Sequence, residues 1–395
     1  MNIIKYKDSS TNRDVISLFS GAMGLDIGLM SVGLNVKVGQ DFDSACIATM
    51  RANGHNVLSG DIRNINPQDL LDISCLNQGE PLLVCGGPPC QPFSTAGKRL
   101  GINDPRGSLF MDFIRMIDYI KPRFFIMENV KGIMSAPLIS EPISDQDTKI
   151  STQKEKGGSV LDVVLDEFSK LGYKTIYGIL DAVNYGVPQF RERFVLIGSR
   201  DHEDIFLPMP THFQRHQALE YQWQTLKTAI EDLENTTGEC ARFSNDRLEF
   251  LKIVPEGGNW RDLPVDLIPI AMGGAYESGG GKVGFFRRLS YIQPCPTLVT
   301  SPVQKASMLC HPKKDRPLSI REYARIQQFP DDWVFTGTMA AKYRQIGNAV
   351  PIGLAMALGK SIIAVAENNS LVKTKRTRGT DIHNKIMNAI ELGVN

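Results

Sequence analysis

The first two hundred residues alternate between short apolar runs and stretches whose apolar residues recur at helical spacing. Runs of this length bounded by turn residues are typical of buried strands, and the spacing of residues 109–120 and 161–171 predicts helices. Strands that alternate with helices indicate an open α/β sheet, in which ligands bind beyond the carboxyl ends of the strands. The predicted strands cover residues 14–19, 35–40, 81–85, 123–127, 173–181 and 194–198, and a further unit ends at residues 57–62.

This alternation is lost between residue 201 and about residue 333. Glycine clusters occur at residues 255–260 and 273–282, with arginines, lysines and aromatic residues interleaved around them. Such a loop-rich stretch suits readout of a nucleic-acid groove, although a merely solvated surface domain would have the same composition. Near the end, residues 319–330 predict a short helix stopped by proline, and residues 352–366 predict a final apolar helix.

The composition is that of an ordinary globular protein: 395 residues, 42% hydrophobic and 22% charged, enough for two domains. A net charge of +1 means that any DNA-binding face is a local patch. The seven cysteines are scattered, which favours reduced thiols, and no spacing of cysteines or histidines indicates a metal site. No apolar run approaches the roughly 20 residues of a membrane span, and the first residues lack the core of a signal peptide. We therefore expect a cytoplasmic protein with no membrane partner.

The most unusual stretch is GGPPCQPFS at residues 86–94, directly after the predicted strand at residues 81–85. Its glycines and prolines force a rigid bend that can expose Cys90 at the mouth of the sheet. A thiolate is the best side-chain nucleophile at neutral pH. Cysteines after strands are more often small buried hydrophobic residues, which is what we expect of Cys85.

A glycine-rich turn at residues 20–28 follows the first strand and opens a helix. Its glycines let a ligand approach the backbone, but the pattern is not G-x-G-x-x-G, which disfavours a nicotinamide or flavin cofactor. Asp41 ends the next strand about twenty residues after the first glycine, at the spacing of a carboxylate that accepts ribose hydroxyls. Phe42 can stack on an adenine, and Asp61 can either accept from the adenine amino group or cap a helix.

Three charged residues extend the candidate site. Glu128 follows the predicted strand at residues 123–127, where a carboxylate is either simply solvated or, beside a nucleophilic cysteine, an acid. Arg191 and Arg193 occupy alternate positions of an extended segment and therefore point to one face. They either solvate a strand edge or form a fork for a base carbonyl oxygen or a phosphate.

Together these stretches resemble the bacterial cytosine-C5 DNA methyltransferase family. The resemblance covers nearly the whole chain except residues 135–158, the interior of the 201–333 stretch and the basic tail. The family usually has a shorter connection in place of residues 135–158. Its motifs occur in order at residues 86–94, 128–130 (ENV), 189–193 (Q-x-R-x-R), 321–330 (R-E-x-A-R before F-P) and 345–351 (QIGNAVP).

The resemblance implies a doubly wound, mostly parallel α/β sheet of the S-adenosylmethionine methyltransferase type, with a smaller, loop-rich target-recognition domain. Target choice is expected to reside in residues 201–291. The implied domains are residues 1–200 and 334–368 for the two parts of the catalytic domain, 201–333 for the target-recognition domain, and 369–395 for a basic tail. The implied cofactor contacts are Phe19, Gly21, Gly24, Asp41, Phe42, Asp61, Ile62, Pro89, Leu109, Asn348 and Ala349.

The resemblance also assigns roles in a reaction on double-stranded DNA. Cys90 would attack C6 of a flipped-out cytosine, and Glu128 would hydrogen-bond N3 and the exocyclic amine. Arg191 and Arg193 would hold the base O2, the motif around Glu128 and nearby phosphate. The expected DNA contacts are Ser94, Lys98, Arg99, Arg106, Arg287 and Arg288.

Three alternatives differ in class. A tRNA cytosine-C5 methyltransferase shares these motifs, although the long glycine-rich recognition stretch disfavours it. A catalytically inactive DNA-binding module would have no need of Cys90 together with Glu128. A nicotinamide oxidoreductase is disfavoured by the glycine pattern. We expect a monomer, and the DNA target and any pairing with a restriction endonuclease stay open at this point.

Overall fold

The computed structural model describes residues 12–89, 109–135, 159–236, 238–277 and 283–367. Within these ranges, seven strands form one sheet in the order β3-β2-β1-β4-β5-β7-β6. Only β7 runs antiparallel to its neighbours, so the predicted mostly parallel sheet is confirmed. The strands are β1 (Asp14–Leu18), β2 (Asn35–Asp41), β3 (Val57–Ser59), β4 (Leu83–Gly86), β5 (Phe124–Asn129), β6 (Lys174–Asp181) and β7 (Glu192–Ser199).

Helices cover both faces of this sheet, which makes the fold doubly wound as predicted. The described α-helices are α1 (Gly24–Ser31), α2 (Ser44–Ala52), α3 (Pro67–Ser74), α4 (Leu109–Ile120), α5 (Val160–Lys170), α6 (Leu226–Ile230), α7 (Asn245–Ile253), α8 (Ile268–Met272), α9 (Gly274–Glu277), α10 (Ile320–Ile326), α11 (Met339–Asn348) and α12 (Ile352–Ala366).

Alternating side chains of the central strands divide the core into two layers. On β5, Phe125 and Met127 join α3, α4 and α5 in one cluster, whereas Phe124 and Ile126 join α1 and α12 in the other. Successive side chains of a strand point to opposite faces, so a strand buried on both faces is a continuous apolar run. This is why the strands could be read from the sequence.

The chain order of the strands reverses beside β1, because β2 lies on one side of it and β4 on the other. Ligands of open α/β sheets bind outside the carboxyl ends of the strands at such a switch point. The glycine-rich turn follows β1 and the Gly-Gly-Pro-Pro bend follows β4, so both candidate motifs begin at this crevice.

The last helices return to the first part of the chain. A Cβ on Gly28 of α1 would collide with Ala355 and with the carbonyl of Ile352, so α1 and α12 are in close contact. The stretch Met339–Ala366 is long and apolar enough to cross a membrane by length and composition alone. It consists of α11 and α12, is mostly buried, and packs as part of the core.

Residues 201–333 do not pack as one separate unit in the described chain. Phe243, Leu251, Phe286 and Cys310 belong to a small cluster confined to this stretch. By contrast, Leu289, Tyr291, Cys295 and Leu298 share a large cluster with α10, α11 and the glycine-rich turn. Leu226 and Ile230 belong to the same cluster, so both early and late residues of this stretch connect it to α11 and the glycine-rich turn.

One buried carboxyl lies directly behind the glycine-rich turn. Asp26, in the first turn of α1, is completely buried, and among the described residues neither of its oxygens has a hydrogen-bond partner of good geometry. The Ser17 hydroxyl lies beside it, and the carboxylate of Asp41 is the nearest other acid that affects it. Burial raises the pKa of Asp26 to about 6.

Asp26→Asn should change the pH dependence of stability. The folded protein binds this proton more tightly than the unfolded chain, in which an aspartate has a pKa of about 3.9. The contribution of Asp26 is therefore fully present below that value and is lost as pH rises through about 6. We expect the stability of the variant relative to wild type to increase over this window, by at most about 3 kcal/mol. Urea unfolding of both proteins from pH 4 to pH 8 measures it, and a difference independent of pH would contradict the assignment.

Candidate active site

The bend after β4 is held against the end of β5. Asn129 donates from Nδ2 to the carbonyl of Pro88 at 2.8 Å, and both residues are buried. A Cβ on Gly87 would lie 2.9 Å from Oε2 of Glu128, so the bend passes directly over this carboxylate. Pro89 is half-buried and ends the described stretch, and Cys90, the next residue, lies outside the described residues.

Glu128 lies inside β5, not after it as predicted. The ladder between β5 and β7 continues through Glu128↔Val195 and Asn129↔Phe194, and it carries the acid into the sheet. Glu128 is only 8% exposed, which excludes the simply solvated carboxylate considered above. Its Oε1 forms an ion pair with Nε of Arg193 at 2.6 Å.

The environment of Glu128 favours a proton on its carboxyl more than water would. Burial raises the pKa of Glu128, and the guanidinium groups of Arg193 and Arg191 oppose the rise. Because Arg193 contacts Oε1, Oε2 is the oxygen that faces the bend leading to Cys90. A carboxyl with this arrangement can hold a proton for a bound base on one side while being oriented from the other.

The two arginines differ in what they bind. Arg193 pairs with Glu128, but Arg191 is 2% exposed and donates to the carbonyls of Leu298 at 3.0 Å and Gly347 at 2.7 Å. The fork predicted for Arg191 is thus occupied by main-chain oxygens and not open to a base or a phosphate. Its Nε has no partner among the described residues. Arg191 joins distant segments of the chain around the acid.

The glycine-rich turn after β1 is built from left-handed backbone. Phe19 and Met23 have φ of 53° and 67°, and Gly21 has φ of 55°. Non-glycine residues rarely adopt this conformation, and such strain concentrates at functional sites. Oδ2 of Asp41 accepts from the Gly21 N–H at 2.8 Å, while Oδ1 accepts from the Asp43 N–H at 2.8 Å. Asp41 therefore fixes two turns at the predicted cofactor side of the crevice.

The neighbouring predicted cofactor residues are arranged around these turns. Phe42 is 67% exposed beside Asp41, which leaves its ring free for stacking. Asp61 caps the short 3₁₀ helix Ile62–Asn64 and pairs with Arg63, so the capping alternative is confirmed. Ile62 is buried, and Leu109 packs half-buried against the core at the start of α4.

The closing segment reaches the same turn from the far end of the chain. A Cβ on Gly24 would collide with the carbonyl of Val350 and lie 3.1 Å from Cβ of Ala349. Asn348 is exposed at the end of α11. Residues 349 and 350 therefore border the glycine-rich turn, which only a glycine at position 24 permits.

Comparison with known proteins agrees with these motifs. A family model described as C-5 cytosine-specific DNA methylase matches residues 13–364. The chain is 40% identical over 366 residues to the Type II methyltransferase M.Sau96I of Staphylococcus aureus, covering 92% of this chain and 77% of that protein. It is 38% identical over 361 residues to the Type II methyltransferase M.PspPI of Psychrobacter sp. (strain TA137), covering 90% and 80%. The chain belongs to the C-5 cytosine-specific DNA methylase family.

Solved structures show the same fold at lower identity. A DNA modification methyltransferase encoded in an E. coli prophage matches with a TM-score of 0.62 and 23% identity, over 90% of this chain and 99% of that chain. DNMT2 of Spodoptera frugiperda matches with a TM-score of 0.53 and 18% identity, over 89% and 99%. The protein is thus a cytosine-C5 DNA methyltransferase of the type found in restriction-modification systems, and this family and fold are generally S-adenosylmethionine-dependent. Membership excludes the nicotinamide oxidoreductase alternative.

For this methyltransferase, one predicted DNA contact does not fit the structure. Arg288 is 5% exposed, and all five of its N–H groups donate within the protein, so none is left for a base or phosphate. Sequence alone does not distinguish such an arginine from a surface one. Arg287 is half-buried and uses Nε on the carbonyl of Met308 at 3.0 Å. The acceptors of Arg288 are the carbonyls of Leu251, Val254, His311 and Lys314 and the carboxylate of Asp315.

Several residues predicted to contact DNA, and two further stretches of the chain, lie outside the described residues. The undescribed positions include Ser94, Lys98, Arg99 and Arg106, most of residues 135–158, and the tail. In the described chain, six cysteines are free and no group of three His, Cys, Asp or Glu residues could hold a metal.

The sequence did not predict a role for two fully buried glutamines, Gln189 and Gln327. The sequence gives little indication of their role, because each is a single polar residue within a motif that is identified by its charged residues.

Gly87→Ala should reduce methyl transfer without unfolding the methyltransferase. The new Cβ would lie 2.9 Å from Oε2 of Glu128 and push the carboxylate from its position, and a misplacement of about 1 Å can cost roughly 10²-fold in rate. Gly86→Ala is the matched control, because its Cβ would lie 2.5 Å from the main-chain carbonyl of Leu18. It should lower the thermal midpoint instead. A Gly87→Ala variant with the wild-type initial rate would contradict this placement of Glu128.

Proposed function

We propose that this methyltransferase uses Cys90, Glu128 and Arg193 to methylate C5 of a cytosine flipped out of duplex DNA. The observation that carries the proposal is the buried Glu128 carboxyl, oriented by Arg193 at 2.6 Å and facing the bend that leads to Cys90. A nucleophile and an acid that meet on one base need such a rigid arrangement.

The proposed chemistry begins at the base, because C5 of cytosine is a poor nucleophile. The Cys90 thiolate forms a bond to C6, and the electron pair of the C5–C6 double bond becomes available at C5. Glu128 hydrogen-bonds N3 and the exocyclic amine, which stabilises the charge that develops on the ring. Arg193 keeps Glu128 in place and would also bind the base O2.

The step ends by restoring the aromatic ring. After C5 has gained its methyl group, a proton acceptor removes the C5 proton. The electron pair of that C–H bond then re-forms the C5–C6 double bond. The bond between Cys90 and C6 then breaks and the thiolate leaves. None of these positions is reachable in a stacked duplex, so flipping precedes chemistry at a cost of a few kcal/mol.

The residues around the glycine-rich turn fit S-adenosylmethionine, which supplies an electrophilic methyl group when bound. Asp41 is a buried acceptor suited to ribose hydroxyls, and Phe42 offers an exposed ring to the adenine. Asp61 would accept from the adenine amine in addition to capping its helix. The backbone of Phe19, Gly21 and Gly24 would border the methionine part. Further contacts would come from Ile62, Pro89, Leu109, Asn348 and Ala349.

The remaining assignments rest on position in the chain and on the relatives. Residues 201–333 would be the recognition domain, 1–200 and 334–368 the catalytic domain, and 369–395 a basic tail. Within the first of these, residues 201–291 would choose the target. DNA contacts would come from Arg287 and from Ser94, Lys98, Arg99 and Arg106. A cytoplasmic monomer that works beside a restriction endonuclease fits relatives named Type II methyltransferases.

The direct test incubates the purified protein and labelled S-adenosylmethionine with either genomic duplex DNA or bulk tRNA. Nucleoside mass spectrometry identifies the product, and bisulfite sequencing of the DNA locates it. We expect 5-methyl-2′-deoxycytidine at one recurrent sequence context. Label in tRNA only would establish the tRNA alternative, and label at another atom of DNA would contradict the roles of Cys90 and Glu128.

Asp41→Ala should weaken cofactor binding more than DNA binding. The substitution removes a charged acceptor, worth about 1.5–3 kcal/mol in such hydrogen bonds, and frees the Gly21 turn. Calorimetry with S-adenosylhomocysteine measures the effect. Asp43→Ala is the matched control, since Asp43 caps α2 and pairs with Arg344 instead. An unchanged dissociation constant for Asp41→Ala would refute the ribose assignment.

A further inference from the structure

Three distant segments meet at the start of β7. They are residues 188–191, residues 345–349 at the end of α11, and residues 291–299, which we call the exit segment because they lead out of residues 201–291. The Phe190 N–H donates to the Cys295 carbonyl at 2.8 Å, and the Cys295 N–H donates to the Pro188 carbonyl at 2.8 Å. The exit segment is therefore paired with the chain that enters β7.

Two completely buried glutamines connect all three segments. Gln189 lies in the first segment, and Gln327 directly follows α10. Oε1 of Gln189 accepts from the Leu298 N–H at 2.8 Å, and its Nε2 donates to Oε1 of Gln327 at 3.0 Å. Nε2 of Gln327 then donates to the carbonyls of Ile346 at 2.8 Å and Ala349 at 3.2 Å. Every amide atom of both glutamines is used, so their orientation is determined.

Arg191 spans the same gap. Its guanidinium donates to the carbonyls of Leu298 and Gly347, so both main-chain groups of Leu298 are held by neighbouring side chains of one motif. A Cβ on Gly347 would lie 2.6 Å from the Val299 carbonyl. The exit segment and the end of α11 are thus in close contact and cannot shift independently.

The ends of this chain of hydrogen bonds lie at two different sites. Ala349 contacts Gly24 of the glycine-rich turn, the proposed cofactor side. The exit segment continues from Leu289 and Tyr291, at the end of the stretch proposed to choose the target. A displacement of either segment would leave a buried amide without a partner, which is costly.

We propose that Gln189 and Gln327 are positioning residues that couple cofactor binding to DNA binding. The proposal rests on the proposed function, because it takes the turn at Gly24 as the cofactor side and residues 201–291 as the DNA side. Occupation of one side stabilises the arrangement of segments that the other side requires. By linkage, cofactor and DNA then raise each other's affinity by the same factor.

The test measures that factor in Gln189→Leu and Gln327→Leu. The dissociation constant of S-adenosylhomocysteine is determined by calorimetry, without and with a duplex that contains the site located by bisulfite sequencing. Gln328→Leu is the matched control. Gln328 is the adjacent glutamine and bridges the Gly186 carbonyl and the Gly353 N–H, each at 2.9 Å. Within the described chain its side chain makes no hydrogen bond to the exit segment or to residues 345–349.

We expect the wild-type ratio of the two constants to lie in the usual range for coupled sites, about 5–150-fold. It should fall to nearly one in Gln189→Leu and Gln327→Leu and stay at the wild-type value in Gln328→Leu. The double variant should match either single variant, because both residues belong to one chain of hydrogen bonds. Thermal melting establishes that each variant is folded, and Gln→Met at the same position replaces any that is not.

Three results would overturn the proposal: a wild-type ratio of one, an unchanged ratio in the Gln189 and Gln327 variants, or an equal loss in Gln328→Leu. The last would mean that general loosening of the core is responsible. Failure of the proposed function looks different, because the wild-type protein would then bind no S-adenosylhomocysteine or methylate no DNA.

Discussion

Glu128 on β5 and Arg193 on β7 meet at 2.6 Å in a place that water scarcely reaches. Removing one member of a buried ion pair leaves an uncompensated charge and typically costs about 3–5 kcal/mol, so neither residue is replaceable alone. The antiparallel ladder of β5 and β7 sets their separation. A side chain at position 87 would place its Cβ 2.9 Å from Oε2 of Glu128, which is why a glycine suits this position. One charge pair thereby constrains two strands and the bend that leads to Cys90.

The second constraint is the return of the chain. Residues after 333 close against Gly24 and α1, although the seven-stranded sheet is complete more than a hundred residues earlier. In the segment that enters β7, Arg191 holds this return in place through the Gly347 carbonyl, and Gln189 holds the exit segment through the Leu298 N–H. The proposed cofactor side and the exit segment consequently share one cluster of buried side chains.

The sequence predicts what is local. The bounds of α4 and α12 agree with the apolar spacing at residues 109–120 and 352–366, and most strands agree within two residues. The strand holding Glu128 was predicted too short because a charged residue normally marks the end of an apolar run. Pairing with β7 overrides that rule, since Arg193 on the neighbouring strand compensates the buried charge.

Contacts between distant residues could not be predicted in the same way. Arg288 reads as a DNA contact in a basic, glycine-rich stretch, but the loops around it supply an acceptor for each of its donors. The amide pair Gln189–Gln327 joins residues 138 positions apart, and nothing in either motif indicates the other. Motif residues therefore identified the reaction, whereas their division into chemistry and positioning required the structure.

The arrangement of Glu128 and the bend after β4 is proposed to present the base to Cys90 for covalent attack. It is tested most directly with a duplex that carries 5-fluorocytosine at the methylated position, because fluorine at C5 cannot leave as a proton and the covalent complex persists. In the presence of S-adenosylmethionine, intact mass spectrometry should show a protein–DNA complex, and peptide mapping should place the bond on the sulfur of Cys90. A protein that methylates the ordinary duplex but forms no such complex, or forms it through another cysteine such as Cys85, would contradict the account.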